Sequence, residues 1–184
     1  MHFEVEQKHR VDVFESLQLD ILLAARGAKL GPPIEQSDQY FAHPCRDYAK
    51  TDEALRIRTI GDMSCITYKG PKLDTTTKTR RELELPLATG EVGRRQFAEL
   101  LTALGFTPVA TVIKVRRPFQ LNYAGYEVQG AYDVVDKLGV FIELELLVDE
   151  AGLDEAKRAI RELATELELG PAIRESYLEM LLAR

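Results

Sequence analysis

The sequence has no tryptophan, only two cysteines and three histidines, and no excess of base: 24 lysines and arginines stand against 30 aspartates and glutamates, a net charge of −6 over 184 residues. Each shortage excludes something. Cys45 and Cys65 lack metal-type spacing, and one pair is too few to staple a chain of this length, so they read as reduced thiols. His2, His9 and His43 are scattered and form no ligand motif. The acidic balance argues against general nucleic-acid binding, which needs a basic face to neutralise phosphates. No apolar run approaches the ~20 residues that span a bilayer. Met1 to Val11 alternates charge with apolarity, unlike a secretion signal. A cytoplasmic protein without membrane contact is the expectation. The length suits a single domain, residues 1–184, and nothing in the pattern fixes an oligomeric state.

What the chain does have is alternation. Met1 to Val11 reads as a strand, and from Asp12 the period changes to helical, with Val13, Leu17, Ile21 and Leu22 on one stripe and Gly27 as a stop. Further strands are expected at Gln36 to Phe41, Ala54 to Ile60, Ser64 to Lys69, Lys78 to Pro86, Thr107 to Pro118, Tyr123 to Val128, Gly130 to Val135 and Gly139 to Val148. Helices are expected at Gly90 to Leu104, Leu153 to Leu167 and about Glu175 to Leu182, and Lys72 to Thr79 reads as a loop after a Gly-Pro turn. Many strands with a few helices make an α+β arrangement.

The strands sort charge from grease. Glu4, Glu6, Lys8 and Arg10 share one face of the first strand, with Phe3, Val5 and Val11 opposite. Arg56 and Arg58 flank Ile57, and Lys69 lies opposite Ile66 and Tyr68. Lys78, Arg80, Glu82 and Glu84 oppose Leu83 and Leu85; Lys114 and Arg116 oppose Ile113 and Val115; Glu143 and Glu145 oppose Ile142, Leu144 and Leu146. Two architectures fit. One is a half-buried sheet with a wet face. The other is an inverted barrel, greasy side outward under the helices and charges inside, which closes the sheet and removes its exposed edges.

Charges enclosed in such numbers must be compensated, hydrated or coordinated. The basic set suits phosphate oxygens, arginine as a planar fork and lysine as a compact charge. The acidic set would repel a bare polyphosphate, and makes sense as hard oxygen ligands for Mg²⁺ or Mn²⁺. At an effective dielectric of ~20, one cation 4 Å from a phosphate charge contributes about 4 kcal/mol before desolvation.

These residues resemble a known family. Glu4-Val5-Glu6-Gln7-Lys8 fits the N-terminal ExExK motif of the CYTH superfamily, the class IV adenylate cyclases and thiamine triphosphatases. The accompanying stretches are more specific: Thr51 to Arg58 (TDEALRIR), Thr67 to Pro71 (TYKGP), Arg80-Arg81-Glu82-Leu83-Glu84, Lys114-Val115-Arg116, Asp133 to Glu145, and Ser176-Tyr177-Leu178. Tyr40 to Asp47, leading into TDEALRIR, looks most like the class IV cyclase branch. Arg81 stands where the cyclase-like pattern often has an acid, on a position that alternates outward.

The resemblance implies α+β architecture: a closed eight-stranded antiparallel barrel, a triphosphate tunnel with inward charges, flanked by helices. It implies metal binding by Glu4, Glu6, Glu143 and Glu145. Asp133 is left between metal ligation and the orienting of a base. Lys8, Arg56, Arg58, Lys69, Arg80, Lys114 and Arg116 would hold the triphosphate, with Lys8, Arg56, Arg58 and Glu145 closest to the chemistry. The cofactor would be Mg²⁺ or Mn²⁺. The partner would be a small-molecule triphosphate: ATP, thiamine triphosphate or tripolyphosphate. Cyclisation of ATP, hydrolysis of a triphosphate, and binding without turnover remain open.

Overall fold

The computed structural model of the protein describes residues 3–71 and 80–184, and for residues 13–17 the backbone alone. The order of elements is β1 (Phe3–Val11), α1 (Val13–Ala25), β2 (Lys29–Leu30), β3 (Ile34–Ala42), α2 (Tyr48–Thr51), β4 (Ala54–Ile60), β5 (Met63–Lys69), β6 (Glu82–Pro86), α3 (Gly90–Ala103), β7 (Thr107–Tyr123), β8 (Tyr126–Val135), β9 (Gly139–Val148), a 3-10 turn (Glu150–Gly152), α4 (Leu153–Glu166) and α5 (Tyr177–Leu182). The expected Lys78, and the loop from Lys72 to Thr79, lie outside the described residues.

Eight strands form one antiparallel path, β1-β9-β8-β7-β3-β4-β5-β6, with the short β2 against the far end of β7. The path curls until its ends meet, where Glu4 of β1 bridges Arg80 just before β6. Among the described residues the closure is that one bridge, not a full ladder.

The hydrophobic layer lies outside the curl, as an inverted barrel requires. Val5, Phe119, Leu121, Val128, Ile142, Leu144 and Leu146 pack under α4 (Ala156, Ile160, Leu163) and Leu19 and Leu23 of α1. A smaller cluster joins Leu55 and Ile57 of β4 to Leu101 and Phe97 of α3. In α4 the apolar stripe that marks the helix is what it buries, but in α1 the buried residues are Leu19 and Leu23 with Leu22 beside them, and the expected Ile21 is 71% exposed. Their cover is incomplete. Ile113, Val115 and Val134 face outward on neighbouring strands and stay exposed, at 55%, 39% and 53%.

Two expectations are corrected. Tyr123–Val128 and Gly130–Val135 are not two strands but parts of a hairpin whose turn sits earlier, at Ala124 and Gly125, both at positive φ (50° and 83°). Gly130 is mid-strand, opposite Phe119, where an added Cβ would come within 2.1 Å of the Phe119 ring. The glycine serves close packing, not a turn. The interior is also not charged throughout. Tyr40, Val112, Val135 and Phe141 form an apolar cluster completed by Tyr177 of α5. Ser176 caps that helix in a reciprocal capping box with Glu179, so the chain end is a defined element and not a fraying tail.

Among the described residues no helix is long and apolar enough to cross a membrane. Cys45 and Cys65 are both free.

Candidate functional site

The curl encloses a cavity of about 730 Å³. Into it the strands deliver Glu4, Glu6 and Lys8 from β1, Arg56 and Arg58 from β4, and Lys69 from β5. Arg80 and Glu82 come from beside and within β6, Lys114 and Arg116 from β7, and Glu143 and Glu145 from β9. Period-two alternation is the reason: each named pair is two residues apart and so shares a face. Arg10 shares that face of β1 but is not among the lining residues. It is exposed, donates to the Leu138 carbonyl oxygen at 2.7 Å and lies over the Phe141 ring.

One wall is basic. Arg116 forks onto Asp133, with Nε 2.7 Å from Oδ1 and Nη2 2.6 Å from Oδ2. Lys114 Nζ donates to the same carboxylate at 2.9 Å, the Tyr177 hydroxyl donates to it at 3.0 Å, and Arg116 also pairs with Glu143. Asp133 is fully buried and does not line the cavity. Burial alone would raise its pKa, but Arg116 and Lys114 outweigh that and hold it down at about 2. Beside it on β3 and β4, Asp38 receives Arg58 (Nε to Oδ1 and Nη2 to Oδ2, both 2.7 Å) and Arg56 (Nη1 to Oδ2, 3.3 Å). Burial opposes its ionisation too, and Arg56, Arg58 and Lys114 overcome it, pulling Asp38 well below the usual carboxylate range.

The facing side is acidic and much less well compensated. Glu6 and Glu145 stand directly opposite each other on β1 and β9, with Glu4 two residues on. Like charges in that position destabilise a sheet unless something lies between them. Burial, then Glu4 and Glu6, push the Glu145 carboxyl up to about 8 against the pull of Lys69 and Arg116. Burial raises Glu4 as well. Lys69 is the nearest counter-charge, paired with Glu82 and 3.6 Å from Glu4. Burial, together with Arg56 and Arg80, pulls Lys69 below the ordinary lysine range despite Glu4.

This donor set fits a hard divalent cation: carboxylate oxygens only, several in number, in a place where negative charge is in local excess. Among the described residues no three such side chains are already gathered into a cage.

Between the two walls Lys8 is 1% exposed, its Nζ bonded to the Glu175 carbonyl oxygen and 4.2 Å from the centre of the Tyr177 ring. Lys114 Nζ sits 5.1 Å from the same ring, so α5 packs directly on two of the bases. Arg56 and Arg80 are buried, and each leaves its Nε without a hydrogen-bond partner among the described residues. An unsatisfied buried guanidinium donor is costly in a protein alone and is what an incoming anion would complete.

Of the residues expected at the site, all line the cavity except Asp133, which stands behind it. Sequence reasoning missed Asp38 and the part played by Tyr177. The signal for Asp38 was present: it falls in register with Gln36 and Tyr40 on a strand expected at Gln36 to Phe41, one acid on the inward face. The sequence offers Tyr177 only within the stretch Ser176-Tyr177-Leu178, which says nothing of its contacts with the bases.

Comparison with known proteins agrees with this fold. The CYTH domain model matches residues 2–177. A Methanocaldococcus jannaschii protein, whose name assigns it provisionally as an adenylate cyclase, is 33% identical over 182 residues, 96% of this chain and 97% of the relative. The solved structure of PH1819 from Pyrococcus horikoshii OT3 superposes with a TM-score of 0.85 at 35% identity and covers 98% of both chains. A Hippeastrum protein of the adenylyl cyclase type, described as having a dominant triphosphatase activity, shares the fold at 14% identity. Its TM-score is 0.69, covering 100% of this chain and 96% of the other.

Proposed function

This chain belongs to the CYTH domain family, and from that premise we propose that it is a metal-dependent enzyme that cleaves a small-molecule triphosphate, with conversion of ATP to cyclic AMP and pyrophosphate as the first reading. The observation that carries the proposal is the division of one enclosed cavity into a basic wall and an acidic wall. The basic wall matches the oxygens of a triphosphate, and the acidic one its metal. A bare anion site would have no use for Glu6 opposite Glu145, and a bare metal site none for the arginine rows.

In this reading Arg56, Arg58, Lys69, Arg80, Lys114, Arg116 and Lys8 grip the phosphates and stabilise the charge that builds on the leaving group. Glu4, Glu6, Glu143 and Glu145 hold Mg²⁺ or Mn²⁺. When bound, the cation supplies Lewis-acid polarisation of the phosphoryl oxygens. Asp133, with both carboxylate oxygens taken by Arg116, Lys114 and Tyr177, orients bases and does not ligate. In cyclisation the ribose 3′ oxygen bonds to the α-phosphorus, its proton leaves, and the bond from that phosphorus to the pyrophosphate oxygen breaks. The name of the Methanocaldococcus relative supports this choice.

Hydrolysis is the second reading: the bases and carboxylates named above would serve phosphate and metal under either nucleophile, so this set is indifferent to which one attacks. Product analysis separates the two. With ATP and Mg²⁺ or Mn²⁺, cyclic AMP and pyrophosphate in equal amounts are expected. Inorganic phosphate without cyclic AMP assigns hydrolysis. Binding of ATP, thiamine triphosphate and tripolyphosphate with no product from any of them would leave a binding protein.

A further inference from the structure

Behind the basic wall two aspartates are built on one plan. Asp133 of β8 lies directly across the ladder from Arg116 of β7, and Asp38 of β3 directly across from Arg58 of β4. Each carboxylate takes the Nε and Nη2 edge of its arginine as a fork at 2.6–2.7 Å. Each then reaches a second base two residues back along the arginine's strand: Lys114 for Asp133 at 2.9 Å, Arg56 for Asp38 at 3.3 Å. All four bases line the cavity and neither aspartate does. The two acids are 0% and 2% exposed.

We propose that Asp38 is a positioning residue for the triphosphate, which holds Arg56 and Arg58 with their outer N–H groups turned to the cavity as Asp133 holds Lys114 and Arg116. An arginine carries about 2 kcal/mol of rotamer entropy, and in a cavity of about 730 Å³ an untethered one has room to wander. A fork on its inner edge removes that freedom before the anion arrives, so less is lost on binding. The unsatisfied Nε of Arg56 is consistent with a side chain held in place by one partner while awaiting another.

The proposal rests on the triphosphate reading above, and the sign of one substitution tests it. Asp38→Asn removes a negative charge beside phosphate-binding bases, so charge alone would tighten anion binding. Positioning predicts the opposite, because the amide offers donors where Arg58 needs acceptors and the fork breaks. Calorimetric titration of inorganic tripolyphosphate with Mg²⁺ is expected to show binding by the wild type and at least 10-fold weaker binding by Asp38→Asn. The cycle with Arg58→Gln should be strongly non-additive, and the cycle with Lys69→Gln close to additive, a pattern that general loss of structure would not produce. If Asp38→Asn melts below the assay temperature, Asp38→Ser, too short for the fork, carries the same expectation. Equal or tighter binding by a folded Asp38 variant overturns the positioning role and leaves the triphosphate reading standing. A wild type that binds none of tripolyphosphate, ATP or thiamine triphosphate overturns both.

Discussion

Two groups of carboxylates stand in and behind the cavity walls, and desolvation has opposite outcomes for them. Asp38 and Asp133, behind the basic wall, are pulled below the ordinary range although desolvation pushes the other way. Glu4 and Glu145, on the acidic side, are raised with desolvation as the leading cause. The chemical group is the same and desolvation pushes every one of them upward, so the difference lies in partners. Each aspartate meets two cations at hydrogen-bond distance, whereas Glu145 faces Glu6 across the ladder. A carboxylate saturated by its own protein is structural scaffolding for the bases around it. One left in like-charged company is a site that awaits a cation.

The largest way to break this comparison is Glu145→Gln. If Glu145 belongs to the metal-holding group, metal-activated turnover of a triphosphate should fall on the order of 100-fold. Without metal, the same change should leave the fold at least as stable as before, because it removes a repulsion. Steady-state rates over a Mg²⁺ or Mn²⁺ titration, with a thermal melt in chelator, check both halves. Unchanged metal-dependent rates would remove Glu145 from the site.

Asp133→Asn is the same chemical change on the other wall and should have the opposite effect on stability. It leaves Arg116 and Lys114 buried with part of their compensation gone, and breaking a buried pair from one side costs about 3 kcal/mol or more. A denaturant melt in chelator measures it. If Asp133→Asn and Glu145→Gln moved stability in the same direction, the distinction between the two groups would be wrong.

This asymmetry also marks how far the sequence could be read. Inward rows such as Glu4, Glu6 and Lys8, or Lys114 and Arg116, followed from alternation alone, because a strand's face is fixed by parity. Which acid meets which base did not follow, because that depends on register between strands far apart in the chain. Asp38 and Arg58 are 20 residues apart, and Asp133 and Arg116 are 17. Asp38 shares the inward parity of its strand, but as a lone acid with Gln36 and Tyr40 on that face it forms no charged row, which makes its signal a weak one. Gly130 misled for a related reason: glycine signals a turn locally, and only the cross-strand Phe119 ring shows why it sits mid-strand. A helix near Glu175 to Leu182 was legible, but not that it would lay Tyr177 on Lys8 and Lys114.

The smallest effect, and the one that sharpens the comparison most, is the pH dependence of stability in chelator. Glu145 titrates at about 8 in the folded protein and near the ordinary carboxylate value when unfolded. Between those values the folded state holds a proton that the unfolded state releases, so stability falls as pH rises through the window. For Asp133, at about 2 when folded, the unfolded state binds more protons below the ordinary value, so its contribution is present at neutral pH and is lost only as pH falls toward 2. Lys69 faces Glu145, and its folded value lies below that of a free lysine. It therefore adds a rise on the alkaline side, and His9, which burial holds below the ordinary imidazole value, adds a rise on the acid side, so the share of Glu145 is read as wild type against Glu145→Gln from pH 5 to 7. One proton is worth at most about 1.4 kcal/mol per pH unit, so over that range the wild type should lose roughly 5 °C of melting temperature in chelator relative to Glu145→Gln. Glu145→Gln should flatten the slope, and saturating Mn²⁺ should suppress it by competing with the proton for the same carboxylates. A slope from pH 5 to 7 in chelator that Glu145→Gln left unchanged would mean that Glu145 is already compensated like Asp133, and the two walls would no longer differ in kind.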